Sequence, residues 1–361
     1  MDSTTPNKPR SQAGKSRTYM QAGIAVAVLL LALVFTLVNS GGPVNYLSEP
    51  MMVMGTTARL NVVADRGDRP SQAADAAAGE LRRVEAMMSS HLDASPLSRL
   101  NASAPGEEVS VPDELLAMLR KSRSLANDTA GTFDVTCLPI IKIWREAGEK
   151  GVLPSEMQVS TALESTGWEN FRLDDESISK LADGAGIDLG GIAKGYGIDL
   201  ATQAIRASGA SAGLVDVGGD IRCFGLRGNA RWRVGLQSPF DESLIATVSL
   251  TDAAVCTSGN YRRFSEIDGK RYSHIVDPRT GWPANATPSV TVVARSAVVA
   301  DAWATSLSVL GEDGLKLLPE DSDIEAALVI GSPDDYEVVT SAGFSSYFEQ
   351  APTVPVREVL P

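Results

Sequence analysis

Apolar positions recur at spacings of three and four from Ala73 through Ala77, Leu81, Val84 and Met88 to His91, which predicts one face of an amphipathic helix. A second such face, Leu115, Met118, Leu119, Ser122, Leu125 and Ala126, predicts a helix starting near Pro112, with Asp113 and Glu114 in its first turn. A further helix is expected near 154–165, and residues 131–144 are apolar and aromatic. Residues 54–64 (MGTTARLNVVA) read as a first strand. From about Asn170 the texture changes to short apolar runs. Strands are expected at 171–174, 187–189, 213–217, 232–236, 244–250, 254–257, 289–294 and 326–330. Between them lie two helical patterns, 194–207 ending at Gly209 and 299–310 ending at Gly311. Strands mixed with helices, without strict βαβ alternation, predict an α+β fold with two lobes. No Pro/Ser/Gly-rich linker divides residues 54–349.

One run follows neither period. Residues 22–38 (AGIAVAVLLLALVFTLV) are 17 residues without a charge, and the uncharged stretch extends from Thr18 to Ser48. Four basic residues, Lys8, Arg10, Lys15 and Arg17, precede it, and a Gly-Gly-Pro break follows. The run is near the short limit for spanning a bilayer and longer than the usual apolar core of a cleaved signal peptide. An uncleaved signal anchor over 19–40 is the preferred reading. Val38 and Ser40 are the small residues a cleavage site would use. Either way, the basic tail 1–18 stays in the cytoplasm and the body lies outside it. That places the chain in the inner membrane as a single-pass protein with its body on the extracytoplasmic side. Residues 41–53 read as a linker and 350–361 as a C-terminal tail.

Composition adds two exclusions. The 361 residues are 43% hydrophobic and 21% charged, as in a folded globular protein. The net charge is −13, and residues 1–48 contribute +3, so the remainder carries −16. A body that acidic lacks the Lys and Arg surplus that nucleic-acid phosphates need. The three cysteines, Cys137, Cys223 and Cys256, form no C-x-x-C pair, and none sits beside the apolar run as a lipid-attachment site. Buried thiols acting as small hydrophobes are the default for them.

Five stretches carry candidate chemistry. DLGGIAKGYGID (188–199) places Asp188, Gly190, Gly191 and Lys194 at a strand-to-helix junction. Free N–H groups at a helix start, a lysine and absent side chains suit a phosphate or pyrophosphate; a tight turn with a surface lysine is the plainer alternative. It matches neither the P-loop nor the dinucleotide fingerprint. VDVGGDIRCFG (215–225) and TSGNYRRF (257–264) add two more small-residue turns. YSHIVDPRTGWP (272–283) sets His274, one of only two histidines, in a turn-rich loop suited to a base near neutral pH. The other, His91, falls at the end of an amphipathic helix, where packing is the plainer reading. ADAWATSL (300–307) puts Asp301 and Thr305 one turn apart on a helix; a carboxylate, a hydroxyl and carbonyls make an all-oxygen set suited to Mg²⁺. An acidic residue at an ordinary helix start is the alternative. No G-x-S-x-G elbow is present.

In this order, MGTTA, SSHLDASPLSRLN, GTFDVT, DLGGIAKGYGID, VGGDI, TSGNYRRF, HIVDPRTGWP and ADAWATSL resemble the ApbE family of FAD:protein FMN transferases, over about residues 51–349. The resemblance implies a two-lobed fold of mixed and antiparallel sheets flanked by helices, with 54–349 as the catalytic domain. It implies cleavage of FAD at its pyrophosphate with Mg²⁺, transfer of FMN to a threonine hydroxyl of a target protein, and release of AMP. The implied targets are flavin-carrying subunits of membrane redox complexes. It assigns Asp301 and Thr305 to Mg²⁺, with backbone oxygens from near Gly191 and Ala304, and Lys194 to the FAD phosphates. His274 becomes the base, or a residue positioning the acceptor. Met54, Thr132, Phe133, Asp134, Asp188 and Ile275 match positions lining the flavin or adenosine site; His91 falls where relatives often carry a tyrosine. Two departures stand out: no lipid-acceptor cysteine, and Asp216 where relatives commonly have asparagine. An FAD pyrophosphatase and a non-catalytic FAD-binding protein remain alternatives.

Overall fold

The β-branched run Ser289–Ala294 (SVTVVA) is buried at all six positions. A strand covered on both faces reads as continuous apolar sequence rather than as an alternation, and this one lies inside a ten-stranded sheet. The structure, a computed structural model, describes residues 29–31, 43–65, 69–259, 264–320 and 322–359. The sheet runs in the order Val44–Leu47, Thr56–Ala64, Ala212–Val217, Asp220–Phe224, Ala254–Gly259, Ser289–Ala294, Glu325–Ser332, Asp335–Ser341 and Val356–Val359. The short strand Met51–Val53 also pairs with Thr56–Ala64. Neighbours are antiparallel except the last pair, which is parallel.

The described helices are α1 (Pro70–Met88), α2 (Pro96–Ala102), α3 (Asp113–Asp128), α4 (Leu138–Lys150), α5 (Glu156–Glu164), α6 (Ala193–Ala207) and α7 (Ala297–Leu310). One sheet face packs on α1, α6 and α7 through Leu60, Val215 and Val292 against Leu81, Ile198 and Trp303. The other face packs on the hairpin Trp232–Gln237/Leu244–Leu250 and on Phe344. A second apolar cluster joins the end of α1 with α2, α3 and a three-stranded sheet of Glu108–Ser110, Ser177–Lys180 and Phe171–Leu173. The fold is α+β, as expected.

Helix α7 (AVVADAWATSLSVL) is apolar around most of its circumference and has ten buried positions, as a helix sandwiched between sheet and helix must be. It meets α6 at Gly195. A Cβ there would lie 2.3 Å from the Ala297 carbonyl oxygen and 2.8 Å from the Val298 Cα, both backbone atoms that cannot swing aside. Gly195→Ala should therefore cost about 1–3 kcal/mol by overpacking. Thermal melting checks this, and an unchanged midpoint would mean that the two helices part without penalty.

Several expected elements differ. Residues 41–53, read as a linker, contain the strands Val44–Leu47 and Met51–Val53; the first is exposed along most of its length, so no apolar alternation marks it. In the expected tail, Val356–Val359 closes the sheet. Residues 187–189 make no ladder: the Asn101 side chain pairs with Ile187, donating to its carbonyl and accepting from its N–H, both at 2.8 Å, and main-chain pairing is limited to the Asp188 N–H on the Val135 carbonyl beside the isolated bridge Cys137–Gly186. No helix among the described residues is long and apolar enough to cross a membrane. The expected tail 1–18 and span 19–40 lie outside the described residues apart from 29–31, as do residues 260–263 of TSGNYRRF.

Candidate active site

A single cavity of about 1200 Å³ opens between the α6/α7 side of the sheet, the end of α1 and the loop after Lys270–Ser273. Of the thirteen residues singled out above, twelve line it: Met54, His91, Thr132, Phe133, Asp134, Asp188, Gly191, Lys194, His274, Ile275, Asp301 and Thr305. The thirteenth, Ala304, is fully buried one residue behind the wall. Residues separated by up to 251 positions in sequence thus converge on one space.

The floor is a charge cluster. The Lys194 ammonium on α6 pairs with Asp220 at the start of the strand Asp220–Phe224, and lies 3.3 Å from Asp301 Oδ1 on α7. The second Asp301 oxygen accepts the Gly195 N–H at 3.1 Å, and the second Asp220 oxygen accepts the Thr257 N–H at 3.0 Å. Burial works against the lysine's charge, but the two carboxylates outweigh it and hold its pKa above the usual lysine range. Burial also raises the Asp301 carboxyl above its ordinary value; Lys194 opposes that shift and Asp220 adds to it. Two carboxylates against one ammonium leave the ionised cluster at −1, buried, which favours a cation beside it.

The donor set fits a hard divalent cation. Thr305 lies one turn beyond Asp301 on α7 and half-buried on the cavity wall. Gly191 lies against it: a Cβ would stand 3.2 Å from Thr305 Oγ1 and 3.4 Å from the Phe133 ring. Any side chain at 191 would therefore crowd the hydroxyl that the all-oxygen set needs. Among the described residues no three His, Cys, Asp or Glu side chains gather as a metal site, so a cation here would depend on hydroxyl and carbonyl oxygens as well.

The walls are held by local bonds. Met54 sits in the turn before Thr56–Ala64 at φ +53°, an uncommon conformation for a side-chain-bearing residue; its N–H donates to Glu85 Oε1 on α1 at 2.7 Å. Asp188 accepts from the Ser90 hydroxyl (2.7 Å) and the Gly190 N–H (2.8 Å). One Asp134 oxygen accepts both the N–H and the hydroxyl of Thr136, and burial raises that carboxyl's pKa. Thr132 is buried, with its hydroxyl bonded to Thr129 and to Ser306 of α7.

His274 is exposed at the rim, with Ile275 half-buried beside it. Its loop is tied down by hydrogen bonds. The Ala284 N–H donates to the Ile275 carbonyl, Asp277 bonds Arg279, and the Trp144 indole donates to the Gly281 carbonyl at 2.8 Å. His91 corrects its helix assignment: α1 stops at Met88, Ser89 turns extended, and the imidazole stands exposed on the rim rather than packed. Cys223 and Cys256 are buried and Cys137 half-buried on the wall. Burial pushes all three thiols up, Cys223 to about 11, so they stay protonated near neutral pH.

The profile of the ApbE family matches residues 54–328. The chain belongs to the ApbE family. The FAD:protein FMN transferase of Vibrio cholerae is 31% identical over 312 residues, covering 84% of this chain and 93% of the relative. That of Treponema pallidum is 32% identical over 320 residues, covering 82% and 87%. The ApbE protein of Thermotoga maritima superposes with a TM-score of 0.77 at 31% identity, covering 85% of this chain and all of its own. The flavin transferase ApbE of Vibrio cholerae superposes at 0.73 and 29% identity.

Two cavity residues of this ApbE chain escaped the sequence reading. Asp220 follows the two glycines of the turn in VDVGGDIRCFG, and a carboxylate directly after a two-glycine hairpin is its signal. Glu85 lies beside the buried face of α1, half-buried, and the apolar spacing runs unbroken past it through Leu81, Val84 and Met88, so nothing in the pattern marks it.

Proposed function

We propose that this chain is a Mg²⁺-dependent FAD:protein FMN transferase that esterifies a threonine hydroxyl of an acceptor protein and releases AMP. One observation carries the reading: a charge cluster suited to a pyrophosphate and a divalent cation, and an exposed histidine, share a single cavity large enough for a dinucleotide. Asp301 and Thr305, with main-chain oxygens near Gly191 and Ala304, would hold Mg²⁺, which supplies charge neutralisation at the pyrophosphate.

The protein's own groups do the rest. Lys194, fixed between two carboxylates, offers N–H donors to the phosphates without needing to be ordered at the moment of reaction, while the cluster's net −1 would be offset by the cation. Met54, Phe133 and Ile275 offer apolar surface to the flavin, with His91 at the rim, and Thr132, Asp134 and Asp188 polar edges to its ring or to the adenosine. His274 takes the proton from the acceptor hydroxyl as its oxygen bonds the FMN phosphorus. The bond from that phosphorus to the bridging oxygen breaks, and AMP leaves with the bridging oxygen.

Residues 19–40 anchor the enzyme in the inner membrane in this reading, with the body extracytoplasmic. The acceptors are flavin-carrying subunits of membrane redox complexes, and tethering raises their effective concentration. Incubation with FAD, Mg²⁺ and an acceptor domain, followed by intact mass spectrometry, tests the proposal. The acceptor should gain one FMN phosphodiester and one AMP should appear per transfer. Free FMN with an unmodified acceptor would assign the site to FAD hydrolysis; intact, bound FAD would make the chain a flavin-binding protein.

A further inference from the structure

The N-cap residue of α7, Ser296, does not cap its own helix. Ser296 would ordinarily accept from the first free N–H groups. Instead its hydroxyl donates to Asp199 Oδ2 at 2.7 Å, and the Asp199 carboxylate does the capping: Oδ1 accepts the Ala297 N–H at 2.8 Å and Oδ2 the Val298 N–H at 3.2 Å. Asp199 belongs to α6, five residues after Lys194. Its charge is balanced by Arg222 of the strand Asp220–Phe224, with Nη1 2.5 Å from Oδ1. Ala297 lies one turn before Asp301 on α7.

We infer that Asp199 is a positioning residue: by capping α7 from α6 it fixes Asp301 and Thr305 relative to Lys194. Three contacts then join the Lys194–Asp301 pair in setting the two helices. Asp199 holds the start of α7, Gly195 abuts Ala297, and the Gly195 N–H binds Asp301 itself. A helix capped only by its own serine would keep its free N–H groups satisfied but could slide against its neighbour. A carboxylate from α6 removes that freedom, and it also places negative charge at the positive end of α7. Second-layer groups that orient metal-binding side chains typically change metal affinity or activity 10- to 100-fold when removed. The inference rests on the proposed role of Asp301 and Thr305 as cation ligands.

The test compares Asp199→Ala, Asp199→Asn and a control, Val338→Ala, which trims a buried side chain on the sheet face turned away from α7. Mn²⁺ binding is read by electron paramagnetic resonance, alongside melting temperature and the Mg²⁺ concentration for half-maximal transfer. The expected result is Mn²⁺ binding weakened about 10- to 100-fold in Asp199→Ala. Asp199→Asn, which keeps an acceptor oxygen but loses the charge, should fall between it and the wild type. Val338→Ala should melt lower with unchanged Mn²⁺ affinity. Equal Mn²⁺ affinity in all three variants would make Asp199 a stabilising cap only. Should Asp199→Ala fail to fold, wild-type affinity in Asp199→Asn overturns the inference by itself. A wild type that binds no Mn²⁺ removes the cation-ligand reading of Asp301 and the inference with it. A wild type that binds Mn²⁺ but transfers no FMN overturns only the proposed reaction.

Discussion

Replacing Asp301 by alanine should lower the rate of FMN transfer by about 10³-fold, the scale seen when a preorganised charge-stabilising group is removed, while leaving a folded protein. The fold survives because the change does not strand a buried charge. Lys194 keeps Asp220 as its counter-ion, and the cluster passes from −1 to neutral. What is lost structurally is the acceptor for the Gly195 N–H, a cost of about 1–3 kcal/mol for an unsatisfied buried donor. Stability and activity therefore separate. Circular dichroism should show native secondary structure with a modestly lower melting point, and intact mass spectrometry should show almost no acceptor modification. Excess Mg²⁺ should not rescue it. Transfer within tenfold of wild type would mean that the carboxylate serves only to hold α6 and α7 together.

His274→Ala should lower transfer by about 10²- to 10⁴-fold, the range for a lost general base, with FAD affinity within a few-fold of wild type. The side chain is exposed at the rim, and its loop is held by main-chain bonds and by Trp144 rather than by the imidazole alone. Its removal should leave stability within about 0.5 kcal/mol, as for other surface changes. The discriminating measurement is flavin fluorescence on binding set beside the single-turnover rate at saturating FAD. If FAD affinity falls as steeply as the rate, His274 is a binding residue and another group takes the proton.

The segments with a strong period were readable in the sequence: α1, α3, α6 and α7, and the strands Ser289–Ala294 and Leu244–Leu250, all carry their burial in their spacing. Elements whose existence depends on a distant partner were not. Val44–Leu47 and Val356–Val359 are mostly exposed and become strands only because the sheet offers an edge. Residues 187–189 have strand-like composition, but a side chain, Asn101, occupies the pairing position of Ile187 and the main-chain partner reaches only Asp188. The hairpin Phe264–Ile267/Lys270–Ser273 did carry a signal, Asp268-Gly269, a turn pair whose positive φ angles match strand twist. At the site, most residues inside the glycine-rich and turn-rich motifs were legible, because those motifs mark where the backbone turns toward the cavity; Asp220, inside one of them, was not. Asp220 and Glu85 contribute through partners brought close only by folding, Lys194 and Met54, and no spacing along the chain encodes such a pair.

The closing strand has a practical consequence for anyone shortening this chain. Val356–Val359 satisfies the outer backbone groups of Val338–Ser341, and Arg357 ties it down through Glu312 and Glu337. A stop codon after residue 349, which the sequence alone would invite, deletes that cover and leaves an unpaired β edge containing Val338 and Val339. Such an edge is a template for a second molecule, so the shortened protein should form inclusion bodies or ordered aggregates while its catalytic residues remain untouched.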